Sequence, residues 1–194
     1  MASIEFRDVT RLDAVQARAA ADLAFLAFED FYSTFSADPA RVLPAVAAQF
    51  ATDSELNQLI AAMDGPQVAA IGAYYAAAEM AARQAAGLRL LLEVADDPGA
   101  CVKAVRAFAA NFSAPGDAGA YISRFAVAPG RRGSGLAVDL LRHVEDAISR
   151  RGWTRVRLHV RRDNARGLGF YGKMGYKAAD AGGRGYLLLE KTLA

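Results

Sequence analysis

Ala120-Tyr121-Ile122-Ser123-Arg124-Phe125-Ala126-Val127-Ala128-Pro129-Gly130-Arg131-Arg132-Gly133-Ser134-Gly135-Leu136-Ala137 is an apolar run, then a turn of arginines and glycines, then the start of an amphipathic segment. The pattern predicts a strand over residues 120–127, a turn over 128–133 and a helix over 134–151. Leu136, Leu140, Leu141, Val144 and Ile148 share one helix face, and Gly152 supplies the stop. Such a turn suits an anion. Free N–H groups at a helix start point outward, the macrodipole adds positive potential, and glycines let the backbone approach a ligand. Arg131 and Arg132 add direct charge. Taken alone, the turn has a second, less favoured reading as a plain strand-to-helix connection, because glycine turns are common.

Downstream the signals continue as a strand over 155–160, a helix over 164–174 and a strand over 186–192. Strands alternating with helices place the parallel part of a sheet here. Upstream, the imperfect alternation of Ile4, Phe6 and Val9 predicts an edge strand over 3–9. Residues 12–35 have helical spacing ending in the cluster Phe25, Phe28, Phe31, Tyr32 and Phe35, read as a core-facing stripe. The adjoining Glu29 and Asp30 are candidates to face a substrate cleft. Asp38-Pro39 is a cap followed by proline at the first helical position, and Pro44 predicts a short or bent helix to about Phe50. Residues 56–63 and 67–77, joined by Asp64-Gly65-Pro66, read as a hairpin. Residues 79–112 read as helical material inserted between strands, with a second cap-plus-proline start at Asp97-Pro98. A turn-rich bridge, 113–119, follows.

The 194 residues, 54% hydrophobic and 23% charged, suit one ordered domain. We divide it into 1–78 (strand, helices and hairpin), 79–117 (helical insert) and 118–194 (the half bearing the turn). No basic leader precedes an apolar segment, and no ~18-residue uncharged apolar run offers a membrane span. A soluble cytoplasmic protein is expected, in keeping with a single cysteine, Cys101, read as a buried thiol rather than a nucleophile. Charge is uneven: residues 1–117 hold eight Lys/Arg against fifteen Asp/Glu, a net of −7, while residues 118–194 hold fifteen against six, a net of +9. An anion is thus expected at the C-terminal half and a cation at the N-terminal half, unless the halves simply attract each other.

The run from Val127 to Ala137 resembles the acetyl-CoA signature of the GCN5-related N-acetyltransferases (GNAT), Q/R-x-x-G-x-G/A, with Arg132, Gly135 and Ala137 at its fixed positions. Residues 164–176, from Asn164 through Phe170-Tyr171 to Gly175-Tyr176, are similar to the family's N-x-x-A-x-x-F-Y-x-x-x-G-F segment, with Gly167 for Ala and Tyr176 for Phe. Two weak signatures in the right order on the right elements are far more specific than one. The resemblance covers about 118–194; the hairpin fits the family's second and third strands, and the insert departs from its minimal fold.

The resemblance implies an α/β (α+β) fold: a mixed central sheet with antiparallel N-terminal strands, a splayed parallel pair at the cofactor site, flanking helices and a helical insert. It implies acetyl-CoA, a form of coenzyme A, as co-substrate. Binding would involve Phe125, Ala126, Val127, Arg131, Arg132, Gly133, Ser134, Gly135, Leu136, Ala137, Asn164, Phe170 and Tyr171. It further implies transfer to an amine by direct attack in a ternary complex, with the Val127 N–H on the thioester carbonyl and Tyr171 as general acid. A phenol near pKa 10 donating to a thiolate whose acid is near 8.5 goes uphill by only ~2 kcal/mol. Glu29, Asp30 and Glu55 are candidates on the acceptor side, as is a water chain. Small amine, aminoglycoside, peptide N-terminus and protein lysine all stay open as acceptors, and the family's habit implies a homodimer. The rival readings are a non-catalytic acyl-CoA sensor or partner subunit and a nucleic-acid-binding domain.

Other motifs carry less. Residues 167–174 spell G-x-x-x-x-G-K before Met174, which cannot ligate Mg²⁺ as Ser or Thr would. Val138 stands where a dinucleotide fold needs its third glycine. His143 and His159 lack partners in metal-ligand spacing, so no metal is expected, and no G-x-S-x-G elbow occurs. Arg150, Arg151, Arg155, Arg157, Arg161, Arg162 and Arg166 lack interleaved aromatics, so nucleic acid is not an expected partner.

Overall fold

The computed structural model describes residues 4–9, 12–180 and 184–193. The expected first strand therefore has Ser3 outside the described residues. Elements follow in the order β1 (Ile4–Val9), α1 (Ala14–Ala27), α2 (Glu29–Tyr32), α3 (Pro39–Ala48), β2 (Leu59–Asp64), β3 (Gln67–Ala76), α4 (Met80–Glu93), α5 (Pro98–Ala109), β4 (Ala120–Val127), α6 (Leu136–Arg150), β5 (Arg155–Arg161), α7 (Ala165–Lys173), β6 (Lys177–Asp180) and β7 (Tyr186–Thr192).

The strands form one sheet in the order β1-β2-β3-β4-β5-β7-β6, antiparallel throughout except for the parallel pair β4-β5. The pleat sends alternate residues of β2 to opposite faces. Leu59, Ala61 and Met63 join the core under α1 and α3, while Ile60 and Ala62 join the core with α6. Helices thus cover both faces.

Local chemistry sets the helix starts. Asp13 and Gln16 form a reciprocal capping box on α1, and the Asp38 and Asp97 carboxylates cap α3 and α5 ahead of prolines. Each such cap is worth about 1 kcal/mol. The helix expected over 12–35 breaks at Phe28, whose φ of −143° and ψ of 40° separate α1 from α2. Helix α6 begins at Leu136 rather than Ser134 because Gly135 takes a left-handed conformation at the cap. The expected hairpin is β2-β3, the insert is α4-α5, and β6 was not foreseen. Cys101 is buried at 3% exposure. Among the described residues no helix is long and apolar enough to cross a membrane.

Candidate active site

Strands β4 and β5 pair only at Ala120–Val156 and Tyr121–Arg157 and then part, whereas β5 stays in register with β7 along its whole length. The parting leaves one edge of β4 unpaired toward its C-terminus. Val127 faces Ala70 of β3, and the Ala128 N–H donates to the Ala69 carbonyl at 2.9 Å. In an antiparallel ladder that bond marks Val127 and Ala70 as a non-hydrogen-bonded pair. The N–H and C=O of Val127, and of Phe125 two residues earlier, therefore face the open edge, while those of Ala126 are used by Ile71. A skipped residue at Ser123, between the pairs Ile122–Tyr74 and Arg124–Ala73, bends β4 just before this segment.

The glycine turn lies at the end of the same strand. Gly133 and Gly135 have φ of 82° and 88°. A Cβ built at Gly130, Gly133 or Gly135 meets nothing within 4 Å. The Ser134 N–H turns back to the Arg131 carbonyl, but no hydrogen bond is made by the N–H groups of Gly133, Gly135 or Ala137 among the described residues. An open cradle of free donors at a helix start fits a pyrophosphate. The two turn arginines are less free than the sequence suggests. Arg131 is ion-paired with Asp64, and Arg132 Nε donates to the Val127 carbonyl at 3.4 Å. Ser134 Oγ donates to the Arg131 carbonyl, and Leu136 is buried, so these two shape the turn.

A cavity of about 780 Å³ fills the opening, lined by Phe125 of β4, Leu158 and Val160 of β5, and Asn164 and Tyr171 at α7. Asn164 caps α7, its Oδ1 accepting from the Gly167 N–H at 2.8 Å. Gly167, the departure from the family's Ala, makes room for this: a Cβ there would lie 2.7 Å from Asn164 Nδ2. Tyr171 is buried and packs against Phe125, Phe170 and Tyr176 with ring centroids 5.0 to 6.1 Å away. Burial pushes its phenol above the ordinary tyrosine value, so it is a weaker acid than the unperturbed phenol assumed from sequence.

One wall of the cavity is built around Glu55. Its Oε1 accepts from Tyr75 Oη at 2.9 Å and Gln84 Nε2 at 3.4 Å, and its Oε2 lies 3.5 Å from Arg124 Nη2. Arg124 is 7% exposed, donates from Nε to Tyr32 Oη at 3.3 Å, and stacks on the Phe28 ring at 4.2 Å. Burial, with Glu55 beside it, holds the Tyr75 phenol above its usual range. Of the three acidic candidates only Glu55 lines the cavity. Glu29 does not, and Asp30 pairs with Arg161 at a neighbouring depression.

Two lining residues were not foreseen from sequence. Arg124 is signalled only as a lone charge inside an apolar strand. His159, set aside as a metal ligand in the sequence, bonds Tyr121 Oη through Nδ1 at 2.9 Å, and its Nε2 is buried. Burial lowers its pKa to about 4, the Ser113 backbone opposing, so the ring is neutral at pH 7. The aromatic stripe divides: Phe25, Tyr32 and Phe35 are core, but Phe28 and Phe31 line the cavity. No group of three or more potential metal ligands occurs among the described residues.

The model of the Acetyltransferase (GNAT) family matches residues 29–176. A comparison with curated proteins finds no match. Among solved structures, an N-acetyltransferase from Staphylococcus aureus Mu50 is similar at 17% identity and a TM-score of 0.72, covering 96% of this chain and 100% of that one. The PaiA N-acetyltransferase from Thermoplasma acidophilum, in complex with coenzyme A, is similar at 16% identity and 0.58, covering 98% and 99%. The ribosomal-protein-S18-alanine N-acetyltransferase from Escherichia coli is similar at 15% identity and 0.57, covering 99% and 95%. At these identities the likeness is one of fold.

Proposed function

The chain belongs to the GNAT acetyltransferase family, and on that premise we propose that it moves an acetyl group from acetyl-CoA directly to an amine in a ternary complex, at the cavity where β4 and β5 part. The observation that carries this reading is the parting of β4 from β5: it leaves an unpaired edge on β4 that runs from the cavity with the buried Tyr171 at Phe125 to the turn with its free N–H groups beyond Val127.

Acetyl-CoA supplies an activated acetyl group and a thiolate leaving group. The N–H groups of Gly133, Gly135 and Ala137 hold the pyrophosphate, helped by the α6 dipole and Arg132. Phe125 and Val127 offer main-chain donors and acceptors to the pantetheine arm as a further strand would, and Asn164 adds its Nδ2. The Val127 N–H stabilises the negative charge that develops on the thioester oxygen. Tyr171 gives the proton to the departing sulfur. Its raised pKa makes that transfer harder against a solvated thiolate, but the same dry cavity raises the pKa of the thiol, so the two stay matched. Glu55, with about four acceptor sites of which three are taken, has one left for an incoming ammonium, which gives up a proton to solvent before its nitrogen attacks; the second proton that the nitrogen sheds as the amide forms restores the Tyr171 phenol. Incubation with acetyl-CoA and a broad amine panel, read as free thiol, tests the reading: tight acetyl-CoA binding without release on any amine would instead favour a non-catalytic binder.

A further inference from the structure

The insert and the α1-α2 break give the cavity an aromatic wall that acetyl-CoA chemistry does not require. Phe28 meets Phe108 at 5.3 Å, Phe108 meets Phe112 at 5.3 Å, and Phe112 stacks on Tyr186 at 4.1 Å with an interplanar angle of 17°. Phe31 closes the row against Phe108 at 5.3 Å. Phe28, Phe31, Phe108 and Phe112 are only partly buried and line the same cavity as Tyr171. Partly buried rings turned toward a cavity are surface that an apolar ligand would cover.

Charge narrows the choice. Glu55 is the one carboxylate among the described residues lining the cavity, against two guanidinium groups, Arg124 and Arg161. Glu55 is already matched by Arg124, so a second or third ammonium on the acceptor would find no counter-charge there. The acidic surplus of the N-terminal half does not gather in this chamber.

Resting on the acetyl-transfer reading above, we propose that the acceptor is a monoamine carried on an aryl or similarly bulky apolar group, its ring on the Phe28-Phe108-Phe112 wall and its amine turned toward Tyr171. A polyamine, an aminoglycoside or a lysine in a basic peptide is then a poor acceptor. Discrimination of this kind is worth about tenfold or more, since even one methylene in an apolar pocket contributes about that much.

The test compares kcat/KM, with acetyl-CoA, for phenethylamine, propylamine, spermidine, kanamycin and a lysine peptide, using the wild type, Phe108→Ala and Phe108→Leu. The expected result is phenethylamine at least about tenfold above the others, with its advantage over propylamine shrinking strongly in Phe108→Ala and less in Phe108→Leu. Acetyl-CoA titration of each variant shows whether it is folded. Preference for spermidine, kanamycin or the peptide overturns the acceptor class and leaves acetyl transfer standing. No turnover with any amine overturns both. Better turnover of propylamine with hexanoyl-CoA than of phenethylamine with acetyl-CoA overturns the acceptor class by assigning the wall to the acyl chain.

Discussion

Arg124 Nη2 lies 3.5 Å from Glu55 Oε2, and both side chains are largely out of solvent, at 7% and 12% exposure. Removing one partner of a buried pair strands the other charge, which costs about 3–5 kcal/mol. Arg124→Met is expected to destabilise the protein by about that amount, because it also empties the site against Phe28 and Tyr32. Combining it with Glu55→Gln should recover part of the loss. Urea unfolding of the two single variants and the double variant measures the coupling; additive losses would show that the two groups do not support each other.

His159 gives stability a pH dependence. Its pKa falls from 6.5 to about 4 on folding, chiefly through burial. Between those values the unfolded chain binds a proton that the folded chain does not. The stability associated with the neutral ring is therefore complete above pH 6.5 and is lost as pH falls toward 4. The slope is at most about 1.4 kcal/mol per pH unit, and smaller in so far as solvent reaches the ring. His159→Gln keeps a hydrogen-bonding side chain and does not titrate. Its unfolding free energy should decline less than that of the wild type from pH 7 to pH 5; parallel declines would contradict the assignment.

Gly135 joins two requirements, a φ of 88° and open space beside free N–H groups. Gly135→Glu strains the backbone by about 1–2 kcal/mol and sets a carboxylate where we propose the pyrophosphate binds. Calorimetric titration should show acetyl-CoA affinity reduced by about tenfold or more, which corresponds to 1.4 kcal/mol. Unchanged affinity would remove the turn from the cofactor site.

Gly167→Ala separates folding from binding. The new methyl group meets Asn164 Nδ2 at 2.7 Å and Cγ at 3.0 Å, so the capping side chain must move. A lost cap costs about 1 kcal/mol, and the better helix propensity of alanine returns about as much. Stability should barely change while acetyl-CoA affinity falls severalfold. Equal affinity would mean that Asn164 does not touch the pantetheine arm.

How far the sequence could be read depended on the range of the interactions. The strand over 120–127 was legible to the residue because an apolar run, a glycine turn and an amphipathic helix are all local patterns. The break at Phe28 was not, since no glycine or proline marks it and the ring is held by Arg124, nearly a hundred positions later in the chain. β6 was missed because Lys177-Ala178-Ala179-Asp180 has no strand composition and forms on the edge that β7 offers. The glycine turn and the segment from Asn164 to Tyr171 were readable because two motifs carry them. The rest of the cavity was less so: Glu55 was one of three acids named, but Arg124 and His159 reach the cavity only through the sheet, and the aromatic wall looks in sequence like any core stripe.

Tyr171→Phe tests acetyl transfer at this cavity most directly. The substitution leaves the ring among Phe125, Phe170 and Tyr176 and removes only the proton donor. Thiol release from acetyl-CoA in the presence of an acceptor amine should fall by about 10²-fold or more, the usual worth of a positioned acid, with acetyl-CoA affinity unchanged. Because burial raises the Tyr171 pKa, the wild type should show no loss of activity from its ionisation near pH 10. Equal turnover by the two proteins would contradict the account.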